Sequence, residues 1–203
     1  MATAAVPPVV LASGSRYRAA MLERLGIEFR IHPADLDESR QTGENGPALA
    51  RRLSLEKARC IQTLHPEAVV IGADQVAVVE PDSMRQEHHQ ILGKPGTHER
   101  AMTQLKAMRG HQVVYYSGLA VVHTDTEYID VVSTCMRMRS LSDEEIDAYL
   151  THDQPFDCAG SMRSESLGIS LVDEISSSDP SALIGLPLIQ LSAWLRALGF
   201  AVP

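Results

Sequence analysis

A chain of 203 residues, 44% of them hydrophobic, can build one full core but is short for two independent domains. Its formal net charge of −8, with no basic block, argues against a nucleic-acid polymer as partner, because such proteins carry a basic face. No run approaches the roughly 18 apolar residues of a membrane helix, and residues 1–15 lack a positive n-region and carry Pro7 and Pro8, so neither a membrane span nor a signal peptide is expected.

In chain order, residues 9–12 form a short apolar run ending in Ser13-Gly14-Ser15. Ala19, Met21, Leu22 and Leu25 then recur at helical spacing and Gly26 closes the segment, which predicts strand, tight turn and helix. Residues 27–31 alternate as a half-buried strand does, and an acidic loop follows at 35–38. Residues 47–64 read as a helix through Leu49, Leu53 and Ala58. Residues 68–73 are a buried strand, which 76–79 extend or answer with a partner. The polar stretch 80–90, containing His88 and His89, reads as a solvated hairpin connection. Gly93-Lys94-Pro95 breaks the chain before a helix at about 97–108, ended by Gly110.

Two β-rich stretches, 112–123 and 128–138, predict an antiparallel pair turning at 124–126. Ser142 and Glu145 form a capping box that opens a helix to about Leu150. A loop over 157–166 leads to a strand-like segment at 169–172, and residues 186–198 close the chain with an amphipathic helix. Alternating strands and helices followed by hairpins predict an α/β fold with a mixed sheet. With neither repeat nor linker visible, residues 1–203 read as one folding unit. Three cysteines, Cys60, Cys135 and Cys158, are scattered and odd in number without a CxxC, so reduced thiols in a cytosolic protein are expected.

Several positions could carry chemistry. Ser13, Ser15 and Arg18 stand where a strand gives way to a helix, whose N-terminal N–H groups and partial positive charge favour phosphate. A helix cap is the ordinary alternative for either serine, and the GxxxxGKS/T pattern of a P-loop is absent. Asp74 ends an apolar strand beside Gly72, a position from which a carboxylate can hold a divalent cation or polarise water, and equally a position for a turn aspartate. Asp37 and Glu38 could add metal ligands or form a solvated acidic loop. Lys94 lies in a stiffened turn, whereas Lys57 lies on a helix, where a solvated lysine is the usual expectation.

The order of these signals is more specific than any one of them. LASGSRYR, DLDES, LEKA, IGADQVAVV, GKP, YSGLAVV, FDCAGSMRSESLGISLV and IGLPLIQL follow one another over about 180 residues. The chain thereby resembles the Maf family of nucleoside triphosphate pyrophosphatases, in particular the subfamily acting on 7-methylguanosine triphosphate. The resemblance implies a fold related to the inosine triphosphate pyrophosphatases: an elongated, bent mixed β-sheet with flanking helices and two lobes around a cleft. It implies cleavage between the α and β phosphates with a divalent cation, Mg²⁺ or Mn²⁺.

Residue by residue, the resemblance makes Asp74 the proton acceptor and Glu38 an acidic residue implicated in activity, and the same two carboxylates are the candidate metal ligands. It puts Lys57 and Lys94 on the triphosphate, and Ser13, Ser15 and Arg18 in the phosphate-binding turn. Base choice falls to Tyr17, Gln75 and Glu165. Tyr17 offers a π-face to a positively charged methylguanine, where the subfamily usually has tryptophan. Glu165 can accept hydrogen bonds from guanine N1–H and the exocyclic amine. Arg16 replaces a common proline and Ser166 a common glycine. The same chemistry on a pyrimidine triphosphate (UTP or dTTP), or a non-catalytic nucleotide-binding regulator of cell division, are the alternative readings. A homodimer fits the size, although nothing in the sequence marks an interface.

Overall fold

The computed structural model of the chain describes residues 6–80 and 90–203. The hairpin connection expected at 80–90, with His88 and His89, lies almost wholly outside the described residues. The chain divides into two compact units: residues 1–74, 117–132 and 179–203 make the first, and residues 75–116 and 133–178 the second.

In the first unit, β1 (Val9–Leu11) pairs in parallel with β2 (Arg30–Ile31) on one side. On its other side it pairs in parallel with the start of β3 (Val69–Val79), in the register Val9 to Val69 and Leu11 to Ile71. Parallel strands covered on both faces become continuous apolar runs, which is why residues 9–12 and 68–73 show no alternation. Successive side chains still serve opposite faces. Val9, Leu11, Val69 and Ile71 pack with Leu22 of α1 (Arg16–Glu23) and with Leu191 and Leu195 of α5 (Leu188–Ala197). Val10, Ala12 and Val70 pack with Ala58 and Ile61 of α2 (Gly46–Gln62).

Two glycines set how closely α2 lies on this sheet. A methyl group on Gly72 would stand 2.1 Å from the Ser54 carbonyl oxygen and 2.8 Å from the Ala58 nitrogen. One on Gly118 would stand 2.1 Å from the Ala50 carbonyl oxygen. The helix backbone therefore rests directly on the strands along two of its turns.

In the second unit, β3 runs on through Val79 and pairs antiparallel with β4 (Gln90–Leu92). The stretch at 76–79 thus extends its strand and gains a separate partner. Helix α3 (His98–Met108) packs against α4 (Asp143–Asp153), whose Ser142–Glu145 capping box forms as expected. The strands β5 (Gln112–His123) and β6 (Thr126–Met138) belong partly to each unit and are neighbours joined by a two-residue turn. β6 pairs antiparallel with β7 (Val172–Ser177), with a bulge between Arg137 and Met138. The sheet order β2-β1-β3-β5-β6-β7, with β4 on β3, makes the sheet mixed and helix-flanked, as the sequence pattern requires.

Two expectations need correction. The strand at 27–31 shrinks to Arg30–Ile31, and both residues are exposed. Ile27 and Phe29 pack against the core from irregular backbone, so their alternation reflects burial without a ladder. The strand-like segment at 169–172 is mostly a 3₁₀ turn, Leu167–Leu171. Its buried members, Gly168 and Leu171, are three residues apart, which is the 3₁₀ period.

Gly72→Ala should lower stability by about 1–3 kcal/mol, because its methyl group meets helix backbone and cannot be absorbed by a rotamer change. Urea denaturation measures this. Gly93→Ala, where the added methyl meets nothing within 4 Å, should leave the midpoint nearly unchanged.

Candidate active site

The close seating of α2 brings a helix lysine to a strand carboxylate. Lys57 Nζ lies 2.6 Å from Asp74 Oδ1 and 2.6 Å from Glu38 Oε1. Lys57 and Asp74 are 6% and 7% exposed, so this is a pair of charges removed from solvent. Glu38 is the exposed member and reaches the same ammonium from the acidic loop. A solvated lysine on α2 is therefore not what forms, and Glu38 does not extend freely into water. Asp37 does stay exposed, and the Ser39 hydroxyl, together with the Ser39 N–H that donates to it at 2.9 Å, holds its carboxyl below the usual range.

Arg52 explains how a loop without regular structure delivers Glu38. Its guanidinium donates to the Ser39 carbonyl at 3.0 Å, to both Glu44 oxygens at 2.7 and 2.9 Å, and to Glu56 at 2.9 Å. The loop is thereby tied to α2 five residues before Lys57. The sequence contains a signal for part of this, since Arg52 and Glu56 are four apart on a helix, but the reach to Ser39 and Glu44 is tertiary.

The serine turn lies in the same unit. Ser15 caps α1 by accepting from the Arg18 N–H at 3.4 Å. The buried Ser13 hydroxyl accepts from the Ser15 N–H and from Arg18 Nη1, each at 3.2 Å. Capping and an anion-binding arrangement are thus compatible here: both serines organise the first turn, and Arg18 is drawn over it. Arg18 Nε also donates 3.0 Å to the carbonyl of Gly185, whose φ of 115° a side chain would not tolerate. Burial lowers the Arg18 pKa, and the charges of Asp74 and Glu38 oppose that lowering. The guanidinium is thus within electrostatic reach of both carboxylates. Gly185 lies in the IGLPLIQL motif, but nothing local in the sequence marks its carbonyl as the partner of Arg18.

Of the residues expected to choose the base, Tyr17 is half-buried on α1. The Arg16 guanidinium donates 2.7 Å to its hydroxyl and lies 4.8 Å from its ring centroid. Arg16 is the first residue of α1. Gln75 follows Asp74 on β3, and the two belong to different units. Lys94 and Glu165 are both in the second unit, exposed, the first on the turn after β4 and the second on the loop before the 3₁₀ turn. The site that the described geometry assembles within one unit is therefore Ser13, Ser15, Arg18, Glu38, Lys57 and Asp74.

A model of the Maf-like protein family matches residues 8–198. The chain belongs to that family. Among curated relatives of this Maf-like chain, the 7-methyl-GTP pyrophosphatase of Bordetella parapertussis is 48% identical over 199 residues, covering 96% of this chain and 94% of the relative. The 7-methyl-GTP pyrophosphatase of Burkholderia orbicola is also 48% identical, covering 96% and 91%. That of Aromatoleum aromaticum is 45% identical, covering 96% and 97%. A solved HAM1 protein from Coxiella burnetii is 18% identical with a TM-score of 0.44, covering 66% of this chain and 74% of that one, a likeness too slight to bear on fold or function.

No helix among the described residues of this Maf-like protein is long and apolar enough to cross a membrane. Nor do three or more His, Cys, Asp or Glu side chains gather as a metal cluster among them. The pair Asp74 and Glu38 remains as a donor set. Nucleotide-bound Mg²⁺ takes one or two protein carboxylates and fills its other positions with phosphate and water, so the pair fits such an ion.

Lys57→Met should destabilise the protein by about 3 kcal/mol, because Asp74 is left buried without its ammonium. In a denaturation cycle with Asp74→Asn, the double variant should recover part of that loss. Strict additivity would show that the two side chains do not interact.

Proposed function

We propose that this protein hydrolyses 7-methyl-GTP between the α and β phosphates, releasing 7-methyl-GMP and pyrophosphate, and so clears methylated guanine nucleotides from the cytoplasmic pool. The assignment of activity is supported by relatives of 45–48% identity that carry the same name along nearly their whole length. The single observation that carries the chemistry is the buried Lys57 ammonium shared by Asp74 and Glu38, with Arg18 in electrostatic reach of both carboxylates.

In this reading the serine turn at the start of α1 and Arg18 receive phosphate oxygens, using backbone N–H groups that a helix end leaves available. Water attacks the α-phosphorus while its proton passes to Asp74. The new bond is water oxygen to phosphorus. The bond that breaks joins the α-phosphorus to the bridging oxygen, which departs with its electron pair on pyrophosphate. Lys57 fixes the rotamer of Asp74, so the accepting oxygen keeps one orientation, and orientation of this kind is worth a large part of such a barrier. Arg18 and Lys57, with Lys94 assigned by motif, offset the charge that builds on the leaving group.

Asp74 and Glu38 would hold the Mg²⁺ or Mn²⁺, which neutralises phosphate charge and acidifies bound water. Tyr17 supplies an electron-rich face for the positively charged methylguanine, a reading supported by the Arg16 guanidinium 4.8 Å from its ring centroid. Glu165 accepts from the guanine edge, and Gln75 completes the base contacts.

Pyrophosphate release with Mg²⁺ or Mn²⁺ should be faster from 7-methyl-GTP than from GTP, UTP or dTTP. Equal rates would remove the methylguanine assignment, faster release from a pyrimidine nucleotide would transfer the activity to that base, and nucleotide binding without release would leave a regulator. Asp74→Asn should cut kcat by about 10²–10⁴-fold, the usual contribution of a positioned acid–base group, while nucleotide binding persists in a titration.

A further inference from the structure

Asp153 is the last residue of α4, and its side chain is 1% exposed. A carboxylate is poorly placed there, because the helix C-terminus carries a partial negative charge and burial removes water. What it meets instead is a short piece of chain. Its Oδ1 accepts from the Ser166 hydroxyl at 2.9 Å and lies 3.5 Å from Arg163 Nη2, while Oδ2 accepts from the Leu167 N–H at 3.0 Å. His152 Nδ1 is 3.1 Å from Oδ1. Burial pushes the Asp153 carboxyl up, yet His152, Ser166, Arg163 and the Leu167 N–H together hold it below its ordinary value.

These partners bracket Ser164 and Glu165. Arg163 lies before Glu165, and Ser166 and Leu167 lie after it. One turn earlier on α4, the Tyr149 hydroxyl accepts from the Arg163 N–H at 2.9 Å, and the Ser166 N–H returns to the Arg163 carbonyl at 3.3 Å. A methyl group on Gly168 would stand 2.4 Å from that same carbonyl oxygen, so the segment folds tightly on itself. Glu165 is the exposed tip of a loop whose two sides are fastened to α4. Ser166 adds a hydroxyl clasp to the fastening.

We infer that Asp153 is a positioning residue for base selection, acting through Ser166 and Leu167 to fix the tip that carries Glu165. The inference rests on the reading of Glu165 as the acceptor for the guanine edge. An exposed glutamate on a free loop would lose entropy on binding and would meet guanine in several geometries. A tip fastened on both sides presents its carboxylate in one, and discrimination by a hydrogen-bonding group depends on that geometry.

The test is a cycle of Asp153→Asn, Glu165→Gln and the double variant, read as the ratio of kcat/KM for 7-methyl-GTP to that for UTP. Each single variant should lower the ratio by about tenfold through KM for 7-methyl-GTP, and the double variant should fall no further than Glu165→Gln alone. If Glu165→Gln leaves the ratio unchanged, the reading of Glu165 fails and takes the inference with it. If Glu165→Gln lowers the ratio and Asp153→Asn reduces both substrates equally, Asp153 is only structural and the inference alone is overturned. Ser166→Ala removes one donor from a partly exposed loop and keeps the test usable should Asp153→Asn not fold. It should lower the ratio by about threefold, and an unchanged ratio likewise overturns the inference.

Discussion

The arrangement depends on one ammonium group held between two carboxylates. Lys57 can reach Asp74 because the backbone of α2 rests on the sheet, and it rests there because residues 72 and 118 have no side chain. Burying a lone lysine or aspartate would cost several kcal/mol, so each of the two lowers the cost of burying the other. The same contact that stabilises the first unit thus aims the Asp74 carboxylate. Glu38 joins from a loop that Arg52 fastens to the same helix, which makes α2 the element through which strand, loop and charge are brought together.

A protein of net charge −8 can still present local positive charge. Its cations need not be numerous if they are fixed. Arg18 is held by a serine hydroxyl and a glycine carbonyl, and Lys57 by two carboxylates, so each presents its charge without a further loss of side-chain freedom. Preset charges of this kind stabilise developing charge without reorganising at the moment of reaction. The second unit follows a similar logic with opposite sign: a buried aspartate at an unfavourable helix end is made tolerable by the loop it fastens.

Much was legible along the chain. The buried strands, a turn between β5 and β6 and the Ser142–Glu145 capping box follow from local periodicity and local hydrogen bonding, although β6 starts at Thr126 and the turn is shorter than the expected 124–126. Where the reading erred, a local pattern had two physical causes. Ile27 and Phe29 alternate because they bury side chains from irregular backbone, and residues 169–172 are apolar at a 3₁₀ spacing that resembles a short strand.

The sequence by itself determined the α/β pattern, the capped serine turn, the candidate residues and the family, since these depend on neighbours in the chain or on the order of motifs. Only the tertiary structure decided that Lys57 is buried, that Glu38 and Asp74 share it, that Gly185 holds Arg18 and that Asp153 fastens the loop of Glu165. Each of those contacts joins residues 10 or more positions apart, and the last three bring together different secondary elements and loops. Periodicity carries no information about such a distance, because what sets it is the closeness of helix to sheet and of loop to helix end.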